Sequence, residues 1–182
     1  MLILVHVSIQ HIIGTVALIG LVLSFALAYH IIVSSIEGEV IKTQLSQTAE
    51  YISMSLAHVI SLTDFTYGVL DTTYPVTKHL VLPKTVSGKP YNFTILRSDG
   101  GYYVYVEVIG RSDLHAKSPI TVKSERKIVI LTNDNLDLAE SLLKGFEVKP
   151  RPWVSGGLTN VVVWCYKSGD IIYAGLGILE GG

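Results

Sequence analysis

Six histidines, His6, His11, His30, His58, His79 and His115, are the side chains best suited to proton transfer or metal binding. None stands in an H-E-x-x-H arrangement, which would set two imidazoles one turn apart on a helix face. Asp134, Asp137 and Glu140 recur every three residues and could offer oxygen ligands to a cation. Helix capping and a solvated face account for them better. Ser155-Gly156-Gly157 lacks the Lys-Ser/Thr element of a phosphate loop. Cys165 is the one cysteine, so no disulfide can form within the chain, and it reads as a small hydrophobe in a strand. Nothing beside it suggests an activated thiolate. Asn92-Phe93-Thr94 is the single N-x-S/T sequon and makes Asn92 a candidate for N-glycosylation on an outward strand face. The ten tyrosines fall mostly in strand-like runs, where packing explains them. No catalytic set, metal site, cofactor or small-molecule substrate is implied, and the chain is not expected to be an enzyme.

The charged residues narrow the function differently. Lys plus Arg number 14 and Asp plus Glu 15, a net charge of −1, and every one lies at or after Glu37. This balance gives no electrostatic footing for nucleic acid, and no basic cluster addresses anionic lipid. Ile12–Val33 is 22 uncharged residues, 13 of them Ile, Leu, Val or Phe. As a helix it would extend roughly 33 Å, enough for a hydrocarbon core of about 30 Å. Those 13 residues favour insertion by roughly 4–8 kcal/mol, with no charge to oppose them. His6 and His11 fall near one edge of such a span and His30 near the other, where neutral imidazoles are tolerated. With no Lys or Arg before Glu37, the positive-inside rule does not orient the span. A secretory signal cleaved after Ala26-Leu27-Ala28 is the competing reading. It lacks a positive n-region, and its apolar run is too long.

The helical period continues past the apolar run. Leu45, Ala49, Ile52, Leu56 and Val59 recur at spacings of four and three, with Lys42, Gln44, Gln47, Glu50 and Ser53 between them. One helix is expected from Ser8 to about Leu62, weakest at Gly38 and ending near Thr63-Asp64 before the loop Thr63–Gly68. Within the apolar half, Gly20, Ser24 and Ala28 lie four apart, a spacing that lets membrane helices approach closely.

After the helix, strand signals take over. Val76–Leu82 is a short candidate strand in a loop-rich stretch containing Gly68, Pro75, Pro83, Gly88 and Pro90. Tyr91–Arg97 and Tyr102–Ile109 flank Ser98-Asp99-Gly100-Gly101 and predict a hairpin. Tyr91, Phe93 and Ile95 share one face of the first arm, Asn92 and Thr94 the other, while Tyr102, Val104, Val106 and Val108 make an apolar face of the second. Ile120–Lys123 and Lys127–Thr132 predict two further strands around a turn at Ser124-Glu125-Arg126. Asn133–Lys144 predicts a short capped helix stopped by Gly145, and Val148–Gly157 a loop. Asn160–Tyr166 and Ile171–Leu179 predict a final hairpin across Lys167-Ser168-Gly169-Asp170.

The run Val7-Ser8-Ile9-Gln10-His11-Ile12-Ile13-Gly14-Thr15-Val16, followed by Ala17-Leu18-Ile19-Gly20-Leu21-Val22, resembles the start of archaeal type IV pilin-like proteins. In that family a V-S-x-x-I-G-T-V-like beginning opens a long hydrophobic helix, and a C-terminal β-domain follows. A weaker likeness, to the run leading into a strand of some such ectodomains, lies in Leu82-Pro83-Lys84-Thr85-Val86-Ser87-Gly88-Lys89-Pro90-Tyr91-Asn92-Phe93-Thr94-Ile95. The family usually carries a basic residue and a Gly or Ala before its cleavage point, a place held here by Leu4-Val5-His6-Val7. That departure implies lost processing or a start internal to the gene.

The resulting expectation is an α+β chain. Residues 1–62 form the helix, spanning a membrane at about 12–33, and residues 63–182 form an antiparallel, sandwich-like extracytoplasmic β-domain with one short helix. Gly14 of the motif, Gly20, Ser24 and Ala28 are candidate helix-packing positions, continued by Leu45, Ala49, Ile52, Leu56 and Val59. The resemblance implies a structural subunit of a pilin-like filament or secretion assembly, self-associating or packing with other pilin-like subunits. The alternative is a single-span anchored ectodomain that binds a cell-envelope partner, as archaellum stator proteins do. Either way the chain belongs to the cell membrane with its C-terminal domain outside, or to an extracellular filament. The full-length chain should sediment with membranes and resist carbonate extraction. Intact chain in the soluble fraction, or a mature chain starting at Tyr29, would contradict a retained span.

Overall fold

The computed structural model describes residues 2–65, 74–124 and 126–180, with side chains from residue 11 onward. One helix, α1, runs from Leu2 to Phe65. Nothing interrupts its ladder: the first proline of the chain is Pro75, and Gly38 lies inside helix. Thr66–Gly68, the rest of the expected loop, lie outside the described residues. The chain divides into two compact units, residues 1–40 and 41–182. The first is α1 alone, exposed along residues 11–37.

The second unit contains the end of α1 and nine strands in two sheets. These are β1 (Val76–His79), β2 (Tyr91–Ser98), β3 (Gly101–Val108), β4 (Arg111–Pro119) and β5 (Lys127–Ile130). A 3-10 turn at Asn133–Asn135 leads into α2 (Leu136–Leu142), then β6 (Val148–Pro150), β7 (Trp153–Ser155), β8 (Val161–Ser168) and β9 (Ile171–Leu179). One sheet has the order β4-β3-β2-β7; the other has β1-β8-β9-β5, with β6 also paired to β9. The chain is thus α+β, with antiparallel sheets apart from one parallel neighbour, β5 against β9.

Both predicted hairpins close on two residues. Ser98 pairs with Gly101 around Asp99-Gly100, whose φ values of +50° and +77° give the twist that right-handed strands need. Ser168 pairs with Ile171 around Gly169-Asp170.

A single core joins α1 to both sheets. Ile41, Leu45, Ala49, Ile52, Leu56, Val59 and Ile60 present one buried face. They meet Tyr91, Phe93, Ile95, Val104, Val106 and Val108 of one sheet and Val161, Val163, Cys165, Ile172, Ala174 and Leu176 of the other. Polar groups on this face are satisfied: Ser53 Oγ lies 2.8 Å from Ser118 Oγ, and Ser55 Oγ accepts from Lys78 Nζ at 3.1 Å. A smaller cluster covers the other face of β8 and β9, where Leu131, Ala139, Leu143 and Val148 pack on Val162 and Trp164. This explains the unbroken apolar run Val161–Cys165, a strand buried on both faces. Trp164 lies against Gly175 and Gly177, and its Nε1 donates to Leu176 O at 2.9 Å. A Cβ at Gly177 would stand 2.9 Å from Lys149 O and 3.0 Å from the indole, so the glycines make room for the ring.

Three expectations change. The strand sought at Ile120–Lys123 is instead β4, Arg111–Pro119. Only Leu114 of β4 is buried, so this edge strand is held by its ladder to β3 and carries no apolar alternation. Glu125 of the predicted turn lies outside the described residues. Val148–Gly157 contains β6 and β7, two three-residue strands obscured by Pro150 and Pro152. The predicted helix at Asn133–Lys144 is a 3-10 turn followed by seven α-helical residues. By its contacts the chain divides after Val40, and the end of α1 belongs with the sheets.

That boundary is testable. The six large aliphatic side chains among Ile41–Ile60 that are buried to 1% exposure or less contribute about 9–18 kcal/mol, an upper estimate. This is of the same order as the usual net stability of about 5–15 kcal/mol. A chain of residues 41–182 should therefore give a dispersed near-ultraviolet spectrum and a cooperative melt, and residues 63–182 neither. A cooperative melt for 63–182 would show that the helix is dispensable.

Candidate functional site

Two surfaces hold the sequence-predicted positions. The first is the bare half of α1. Gly14, Gly20, Ser24 and Ala28 are exposed, and a Cβ at either glycine would meet nothing within 4 Å. Large apolar neighbours are equally uncovered; Phe25 is 68% exposed and Leu18 65%. The hydroxyls here are turned inward: Ser24 Oγ donates to Gly20 O and Thr15 Oγ1 to His11 O, each at 2.8 Å. With its backbone bonded along the helix and the Thr15 and Ser24 hydroxyls paired to its own carbonyls, this stretch suits a medium that offers few hydrogen bonds. At about 100° per residue, Gly14, Ala17, Gly20, Ser24 and Ala28 fall within an arc of about 120°. Ala17 escaped the sequence reading because it stands three residues, not four, from Gly20.

The second half of the expected packing stripe is placed elsewhere. Leu45, Ala49, Ile52 and Leu56 are fully buried and Val59 nearly so, all in the core of residues 41–182. The chain's own sheets occupy this stripe.

The other surface is the outer face of the four-stranded sheet, which carries Asn92. On β2, Thr94 stands opposite Tyr105 of β3 and Trp153 of β7, while Asn92 stands opposite Glu107 and Ser155. Directly paired residues share a sheet face, so two cross-strand rows result, Tyr105–Thr94–Trp153 and Glu107–Asn92–Ser155. The two aromatic residues are two strand spacings apart, about 9–10 Å, with the short threonine between them. Asn92, Thr94, Tyr105, Glu107 and Trp153 line a cleft of about 140 Å³. Its polar groups have fixed partners. Ser155 Oγ donates to Asn92 Oδ1 at 2.8 Å, Thr94 Oγ1 to Pro152 O at 2.6 Å and Tyr105 OH to Glu107 Oε2 at 3.3 Å. The Tyr105 ring stacks on His115 at 5.4 Å. Burial, then the Glu107 charge and hydrogen bond, raise the Tyr105 phenol above its ordinary value. Trp153, 59% exposed, was invisible in the sequence because its strand read as loop.

The remaining candidates are not brought together. His11, His30, His58, His79 and His115 are all exposed, and the side chain of His6 lies outside the described residues. Asp134, Asp137 and Glu140 stay on the solvated surface. Among the described residues no group of three His, Cys, Asp or Glu could hold a metal ion. Cys165 is fully buried, and desolvation pushes its thiol up to about 11. Tyr91, also fully buried, is pushed to about 12 by desolvation, with its hydroxyl donating to Pro83 O at 2.8 Å.

In comparisons with known proteins, no family model, no curated protein and no solved structure matches the chain.

The two buried groups have measurable consequences. At neutral pH iodoacetamide should leave Cys165 unmodified in the folded chain and alkylate it after denaturation. Tyr91 is neutral when folded and has a raised pKa, so its contribution is complete below the unfolded value of about 10 and is lost as pH climbs toward about 12. Stability should fall across that window. A Tyr91→Phe chain, lacking the phenol, should lose less over the same range.

Proposed function

We propose that this chain is a structural subunit of a type IV pilin-like surface filament or secretion assembly, held in the cell membrane by α1 with its β-domain outside. The observation that carries the reading is the apolar stretch of α1 from residue 11 to 36, whose side chains are exposed. A helix apolar on every side needs lipid or other helices around it. It is long and apolar enough to cross a membrane. In an assembly it would exchange lipid neighbours for like helices, through packing and with no chemistry. The small residues Gly14, Gly20, Ser24 and Ala28 supply the face along which backbones can come close.

A second reading has its own support. The stripe Leu45–Val59 is consumed by the chain's own core, so beyond Val40 the helix no longer has an apolar face open on every side. That suits a single-span anchored ectodomain binding a cell-envelope partner.

The two readings separate by cross-linking in membranes, with one cysteine placed in the apolar half of α1. Cys165 can remain, because it is buried. Gly20→Leu should leave membrane content unchanged while lowering oligomer yield at least about fivefold, a loss of about 1 kcal/mol of packing. Equal yields would remove the small-residue face as the assembly surface. No oligomer from either chain would favour the anchored ectodomain.

A further inference from the structure

We propose that the cleft between Tyr105 and Trp153 binds a neutral saccharide ring, a function independent of how α1 assembles. β7 has three residues, and its core contact is made by Val154, buried to 1% exposure. Its ladder to β2 would be formed by any side chain at position 153, yet a tryptophan stands there, on the solvated face.

A sugar ring has a C–H face that stacks on aromatic rings and a rim of hydroxyls that both donate and accept. This cleft has the matching parts in the matching order. Tyr105 and Trp153 stand on either side of Thr94, leaving a gap that their rings border. The adjoining row offers an amide and a carboxylate, from Asn92 and Glu107. Ser155 holds Asn92 and Tyr105 bonds Glu107, so these groups are oriented before a ligand arrives.

Other occupants fit less well. A phosphate or nucleotide would meet the Glu107 carboxylate, and no Lys or Arg lines the cleft. A quaternary ammonium would use the aromatic rings and the carboxylate but leave the amide and hydroxyls without a role. An extended peptide needs an unpaired edge, whereas the cleft floor is β2, paired to β3 and β7.

The chain carries its own reporter. It has two tryptophans, and Trp164 is buried at 1% exposure, so iodide reaches Trp153 alone while unquenched Trp164 emission certifies the fold. Full-length, unglycosylated chain in a zwitterionic detergent without sugar headgroups would be titrated with methyl glycosides of glucose, galactose, mannose and N-acetylglucosamine, and with choline chloride. At least one glycoside should shield Trp153 from iodide, saturably and in the millimolar range. Tyr105→Ala should weaken that shielding at least about tenfold, and Glu107→Gln should weaken it with Trp164 still unquenched. If Trp164 becomes quenchable in Tyr105→Ala, the Glu107→Gln chain decides. Shielding by no glycoside, shielding by choline alone, or shielding unchanged in the folded variants would overturn the proposal. So would a glycan attached to Asn92 in the native protein, since the cleft would then hold the chain's own sugar.

Discussion

The β-domain depends on one helix face being enclosed by two sheets. From Ile41 to Ile60, α1 buries a side chain every three or four residues against strands of both sheets. Without that face, Tyr91, Phe93 and Ile95 on one side and Val161, Val163 and Ile172 on the other would lose a common partner. The sheets are small, four strands and five, and four of the strands, β1, β5, β6 and β7, have only three or four paired residues. Strands that short gain little from their ladders alone, so apolar burial has to hold them. The same helix changes surroundings at Val40, before which its side chains from residue 11 lie in the open. One continuous backbone ladder therefore serves two environments, because a helix satisfies its own N–H and C=O groups in either.

That core also limits where function can sit. The five-stranded sheet is covered on both faces, by the main core on one side and by the cluster around α2 on the other. Trp164 over Gly175 and Gly177 seals the second face. The four-stranded sheet has one face in the core and one in solvent, shown by the alternation of buried and half-buried residues along β2 and β3. Among the described residues, its solvated face and the bare half of α1 are two large uncovered surfaces. One is apolar all round; the other mixes aromatic rings with amide, hydroxyl and carboxylate groups. They suit different classes of contact, helix or lipid in one case and a polar ligand with apolar faces in the other.

What could be read from the chain directly was whatever rests on local period and composition. The uncharged run Ile12–Val33, the stripe Leu45–Val59 and the hairpins around Asp99-Gly100 and Gly169-Asp170 are short-range patterns, and the structure carries all of them. The α+β class follows from these. β4, β6 and β7 were not legible, because edge strands form when a neighbour offers an open ladder rather than when their own residues alternate. Ile120 and Val122 look like strand residues, yet they lie partly buried against the core outside any strand.

Only the tertiary structure decided what each pattern faces. A helical stripe announces that it will be buried, without saying whether by its own sheets or by another subunit. Leu45, Ala49, Ile52, Leu56 and Val59 went to their own sheets, which moved the division of the chain back to residue 40. Asn92 could be assigned to an outward strand face from alternation alone, but its neighbours could not. Glu107, Tyr105 and Trp153 come from strands that the register sets beside it, one of them about 60 residues away in sequence. Period along the chain is a local property of the backbone and is written in residue order. Register across strands is a long-range choice among competing pairings, and it is made by the packing of the whole core.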